Sequence, residues 1–171
     1  ELEITDGLKD LKEPISETKI KDLSFSYGQK KILDDITLDI SRGSFVAFTG
    51  KSGAGKTTLI DLLLKLHLPN KGEIKIDDVS LNDIKSESWR EKIGYVSQDP
   101  ILFNGTILEN LNWANPNATI EMAQKALEQA NANSFVDKFE DKINTEVKDR
   151  GLRLSGGQRQ RISLARALIR N

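Results

Sequence analysis

The chain has 171 residues, 30% of them charged and 37% apolar, with a formal net charge of −1. That is enough for one sizeable core, too apolar for a disordered tail, and too neutral overall to select nucleic acid or an anionic membrane by bulk charge. There is no cysteine, which excludes a disulfide frame and a thiolate zinc site and fits a reducing cytosolic setting. No apolar run approaches the roughly 18–20 residues of a membrane-spanning helix, and no signal peptide is visible. The first residue is Glu1, so the sequence reads as one segment of a longer protein.

Residues 1–17 are polar and charge-alternating, and Pro14 disfavours regular structure, so they read as a linker entering the domain. IKDLSFSYG (20–28) and ILDDITLDI (32–40) alternate like strands around a Gly28-Gln29-Lys30 turn. SFVAFTG (44–50) is a short continuous apolar run, expected as a buried central strand. It leads through a glycine-rich loop into a helix expected over KTTLIDLLLKLH (56–67), ending before Pro69. GEIKIDD (72–78) reads as a strand, SESWREK (86–92) as a short helix, and IGYVSQ (93–98) as a second buried strand. Beyond Pro100 the periodicity turns helical in TILENLNWA, TIEMAQKALEQAN and SFVDKF, with caps expected at Thr106, Thr119 and Ser134.

Gly50-Lys51-Ser52-Gly53-Ala54-Gly55-Lys56-Thr57 fits G-x-x-x-x-G-K-[ST]. Glycines let the backbone curl so that its N–H groups converge on an anion. The helix opening at Lys56 turns its positive end to the same anion. The Lys56 ammonium can reach β- and γ-phosphates, and the Thr57 hydroxyl suits a Mg²⁺ ligand. The glycine order is not that of a dinucleotide fingerprint, so nucleoside triphosphate binding is the expectation.

Near the other end, Leu154-Ser155-Gly156-Gly157-Gln158 is followed by RQRISLARALIR. Ser155 can cap a helix and donate to phosphate, while Gly156 and Gly157 leave its first N–H groups unshielded. The chain thus carries two anion sites. The rival reading, a basic helix for nucleic acid, rests on Arg159, Arg161, Arg166 and Arg170. Against it, Ile162, Leu164, Ala165, Leu168 and Ile169 form an apolar set suited to a core.

With LSGGQ added to the phosphate cradle, the chain after the linker resembles the ABC ATPase family. The resemblance implies an α/β fold: a P-loop (RecA-like) core, an N-terminal antiparallel β subdomain, and a helical family-specific subdomain over about residues 100–160. It makes residues 18–171 a partial ATPase domain. It implies that Tyr27 stacks on adenine, that residues 50–57 with Thr58 hold the phosphates, that Gln98 reaches the metal and attacking water, and that Ser155, Gly156, Gly157 and Gln158 close over nucleotide bound by another copy. ATP and Mg²⁺ are the implied ligands, with Thr57 and Gln98 on the metal and Lys56 and Gln98 in catalysis. The implied partners are a second ATPase domain, as homo- or heterodimer, and a transmembrane domain at the cytoplasmic face of a membrane, with no nucleic acid.

QDPILFNGTILENL resembles the exporter branch. Thr145–Gly151 resembles the exporters' loop that meets the membrane part, with Lys148 where glycine is common and Asp149 where glutamate is common. Family members continue into a strand ending in aspartate, then a catalytic glutamate and later a histidine. None of these lies within the 171 residues, so the piece alone is expected to hydrolyse little ATP and to lack the C-terminal part of the fold. A non-hydrolysing half-site module and a soluble ABC ATPase are the alternatives. His67, the sole histidine, is expected to sit at the end of the cradle helix in a structural role. Trp89 and Trp113 are expected to be packing or subdomain anchors, Arg150 and Arg153 solvated, and Asp77 and Asp78 a turn.

Overall fold

The computed structural model describes residues 6–11, 14–148, 151 and 153–170. Asp149 and Arg150 lie outside the described residues. The chain forms two compact units, Glu1–Arg90 and Glu91–Asn171.

The first unit is built on a four-stranded antiparallel sheet in the order β2-β1-β3-β4. Its strands are β1 (Glu17–Tyr27), β2 (Lys30–Ser41), β3 (Lys71–Ile76) and β4 (Val79–Ser80). β1 and β2 are joined by the expected turn and run in register from Glu17↔Ser41 to Tyr27↔Lys30, with bulges on the way. Ile20, Leu23 and Phe25 fall on the buried side of β1 and meet Leu33, Ile74 and Ile76 in the core. The helix α1 (Lys56–Leu63) lays Leu59 and Leu62 into the same core, and α2 (Ser86–Arg90) adds Trp89.

α1 ends four residues earlier than the sequence suggests. Leu64 is its C-cap, and Lys65 turns into the left-handed region at φ 55°. The cause is the Lys65 side chain, which is 1% exposed. Its ammonium is drawn inward to donate to the carbonyl of Ile84, and it lies 3.6 Å from the Asp6 carboxylate. An ammonium can be buried only when oxygens surround it, and the turn supplies them. Trp89 is an anchor here, as its Nε1 donates to Leu63 O at 2.6 Å. Asp77 stands in the turn after β3, where its carboxylate accepts from the Ser16 and Glu17 N–H groups.

The linker expected over 1–17 is not loose throughout. Residues 6–11 run along 83–88: Lys9 N donates to Asp83 O, Lys85 N to Lys9 O, and Leu11 N to Ser88 Oγ. Gly7 lies so close that a Cβ there would stand 2.2 Å from the Asp83 carbonyl carbon.

Two expected strands do not form. Residues 44–50 and 93–98 are irregular; Phe45 is 95% exposed and Tyr95 49%. A strand exists only against a neighbour that answers its N–H and C=O groups, and no described segment pairs with either run. Apolar content alone therefore misplaces both as buried.

The second unit is helical: α3 (Ile107–Asn112), α4 (Ile120–Gln129), α5 (Asn133–Val136) and α6 (Gly156–Leu168). α6 packs on α3 and α4 through Ile162, Ala165 and Ile169, which share one core with Ile107, Leu111, Ala123 and Leu127. Thr106 and Thr119 cap as the sequence suggests. Ser134 does not: Ala132 holds the N-cap position of α5 with no side-chain bond, and Ser134 lies inside the first turn, its hydroxyl donating to Asn131 O. Thr106 pairs with Glu146 in an isolated bridge, so the loop before α6 is tied to the start of α3. Lys148, in that loop, sits at φ 55° and is exposed.

Candidate functional site

The loop 50–55 is the first candidate anion site. Gly50, Gly53 and Gly55 have φ of 154°, 80° and 87°, a region side chains avoid. At Gly55 the restriction is also steric: a Cβ would come 2.7 Å from Leu33 Cδ2 and 3.1 Å from Ile32 O. The loop is thereby pressed against β2. Gly55 is the N-cap of α1 and offers no side-chain acceptor, and no acidic residue stands in the first turn. The opening amides of α1 are therefore left for an external acceptor. Lys56 Nζ donates to Gly50 O at 2.9 Å and Lys51 O at 2.8 Å, which holds the ammonium over the loop. Ser52, Ala54 and Thr57 are exposed and Thr58 is buried. Unfilled helix-start amides beside a lysine ammonium are the donors that a multiply charged anion requires.

Tyr27 closes β1 and is 47% exposed. Its ring packs edge-to-face on Phe25 (4.9 Å) and on His67 (5.5 Å). His67 thus lies beyond the end of α1, among aromatics, and not at the helix terminus the sequence suggested. No sequence signal announces this, because the contact depends on the turn that Lys65 creates.

The second candidate anion site lies in the other unit, at the tip of α6. Ser155 Oγ accepts from Gln158 N at 3.3 Å, and Gln158 Oε1 accepts from Ser155 N at 2.8 Å, a complete capping box. The serine oxygen is an acceptor in this bond, so its own hydrogen is available to donate. Gly156 and Gly157 are exposed, and a Cβ on Gly157 would meet nothing within 4 Å. Arg159 reaches back from the helix to Leu154 O at 2.8 Å and packs its stem on Gly151, fixing the loop that precedes the tip. Gln98 belongs to this second unit and is exposed in the bend before Pro100.

The basic residues of α6 are spent on the fold. Arg161 donates to Asn131 O and lies over the Phe135 ring; Arg166 lies over Phe103. Burial holds the Arg166 guanidinium below the usual arginine range, and its Nη1 finds no hydrogen-bond partner among the described residues. Trp113, expected as an anchor, is instead 68% exposed and stacks on Phe103 with centroids 4.4 Å apart.

The chain is similar to known proteins. The "ABC transporter" family model matches residues 33–171. ABC transporter B family member 1 of Dictyostelium discoideum is 40% identical over 96% of the chain and 18% of its own length. The ATP-dependent lipid A-core flippase of Francisella tularensis is 42% identical over 96% of the chain and 27% of its own length. A solved bacterial Atm1-family ABC exporter with ATP bound superposes with a TM-score of 0.90 at 34% identity, over 95% of the chain and 29% of that structure. The chain thus spans less than a third of these relatives. Cradle, signature helix and family match agree: the chain belongs to the ABC transporter family, as an ATP-binding P-loop ATPase domain of the exporter type.

Proposed function

We propose that this chain is the part of an exporter that binds ATP and couples its hydrolysis to movement of a membrane domain. The observation that carries the reading is the pair of helix tips, one uncapped behind Lys56 and one capped by Ser155, each offering N–H donors to an anion. They are chemically alike but lie in different units. A triphosphate held by the cradle of one copy and closed by the α6 tip of a second copy satisfies both.

Lys56 and the amides of residues 51–57, apart from the Ala54 N–H that closes the loop on Lys51 O, bind the phosphates, where they neutralise charge on the transferred group. Tyr27 offers an exposed ring for the adenine. Gln98 orients the attacking water. Mg²⁺ fits the donors present, since Thr57 and Gln98 supply neutral oxygens and the phosphates the charge; when bound, it would neutralise charge on the phosphate oxygens. Ser155 and the Gly156 and Gly157 amides read the terminal phosphate from the opposite copy. On release of phosphate the two faces lose their shared ligand and part. Docking of a membrane-domain segment is supported by the Phe103–Trp113 stack, an exposed apolar surface beside the half-buried Arg166.

The test is Ser155→Arg in the intact transporter. The cradle is untouched, so ATP affinity should stay within about twofold, while ATP-dependent closure of the two ATPase domains and transport should fall to background. Unchanged closure would refute the cross-copy role.

A further inference from the structure

His67, the residue after Lys65 and Leu66, has a tightly determined position. His67 is half-buried, with its ring 5.5 Å from both Phe25 and Tyr27. Its plane is tilted 33° to Phe25 and stands 87° to Tyr27; Tyr27 is also 89° to Phe25. Three rings thus form one cluster in which Tyr27 is met edge-to-face by two neighbours. Phe25 is 6% exposed and is the floor, while Tyr27 is the half-open member.

Two independent fastenings keep His67 there. On one side, Lys65 is fully buried and bonded to Ile84 O, so the chain two residues earlier cannot drift. On the other, Asn70 N donates to Ser24 O at 2.9 Å and Asn70 Oδ1 accepts from Ser26 N at 2.6 Å, stitching the segment after His67 to the strand that carries Tyr27. The segment 65–70 is therefore a bracket, and its ring contact is made against Tyr27.

Position in the chain gives the bracket meaning. α1 begins at Lys56 in the phosphate cradle and ends at Leu63, just before the bracket. One short element therefore has the phosphates at its start and the Tyr27 ring near its end. A tyrosine at a strand end with half its surface open has rotameric freedom; two edge-to-face neighbours remove it. Preorganising a stacking ring cuts the ordering cost that base binding would otherwise carry.

We infer that His67 is a positioning residue for the nucleotide base: it holds the Tyr27 ring in the attitude that stacks on the purine. The inference rests on the reading of Tyr27 as the adenine shelf. His67 touches no nucleotide and acts through Tyr27.

The test is a double-mutant cycle on the intact transporter, with MgATP affinity measured by calorimetry and melting temperature measured in parallel. His67→Ala should weaken ATP binding by about three- to tenfold, the range an edge-to-face ring pair supports. His67→Phe should restore it, and in a Tyr27→Ala background His67→Ala should have no further effect. A loss that persists in the Tyr27→Ala background means His67 acts through α1 or general stability, and overturns the inference. So does a Tyr27→Ala loss with no His67→Ala loss, which leaves the adenine shelf standing. If Tyr27→Ala itself leaves ATP affinity unchanged, the shelf reading fails and takes the inference with it.

Discussion

Gly55→Ala is the substitution whose cost can be worked most directly from the structure. Gly55 stands at φ 87°, and an alanine Cβ would lie 2.7 Å from Leu33 Cδ2 and 3.1 Å from Ile32 O. Left-handed backbone costs an alanine at least about 1 kcal/mol. The second cost, about 1–3 kcal/mol, is overpacking, since Leu33 is 5% exposed and Ile32 O is backbone. Together these give about 2–4 kcal/mol. Leu33 faces Phe25 across the β1–β2 ladder, so relief by moving β2 disturbs the floor under Tyr27 as well. If the loop alone yields, the cradle is depopulated by about 30- to 1,000-fold and ATP affinity falls in proportion. If β2 yields, the same energy appears as lost stability. Calorimetric ATP binding and denaturant unfolding on the same variant divide the cost between them. Native affinity together with native stability would refute the steric argument.

Gly157→Ala has the opposite signature: with open space and ordinary φ, alanine should raise helix stability by about 0.5–1 kcal/mol, yet weaken ATP-dependent closure, read as unfolding midpoint against cross-copy association. Lys148→Gly should stabilise by about 0.5–1 kcal/mol in denaturant unfolding, because it relieves a left-handed, exposed lysine at a smaller cost in unfolded-chain entropy. The Asp6 carboxyl is held below its ordinary value of 3.8, first by the Ser86 N–H and hydroxyl and further by Lys65. Its stabilising share is therefore full above about pH 4 and lost as pH falls through the depressed value; Asp6→Asn should flatten that part of the acid-unfolding curve and leave neutral-pH slopes unchanged.

The features legible in the sequence are those whose causes are local. The cradle is a spacing of glycines before Lys-Thr, and both capping boxes, Thr106 with Glu109 and Ser155 with Gln158, are visible as a hydroxyl three residues before an acid or amide. The alternation of β1 and β2 is equally direct. What could not be read depends on partners distant in the chain. α1 stops at Leu63 because Lys65 finds an acceptor at Ile84, a bond that helical periodicity cannot register. Residues 44–50 have the composition of a buried strand, but a strand is defined by its neighbour. Trp113 and His67 both depart from expectation: the tryptophan lies open on Phe103, and the histidine is packed against the Tyr27 ring.

The central claim is that one triphosphate is held by the Lys56 cradle of one copy and the α6 tip of another. The chain itself contains no cysteine, and in a transporter with any other cysteines replaced a single pair is introduced by Ser52→Cys in one copy and Gly156→Cys in the other. Oxidative cross-linking of these two positions between copies, with and without a non-hydrolysable ATP analogue, tests the claim most directly. A nucleotide shared between copies gives a cross-linked dimer that needs the nucleotide and disappears with Lys56→Ala. A cross-link yield that ignores both nucleotide and Lys56, or none at all under saturating nucleotide, would contradict it.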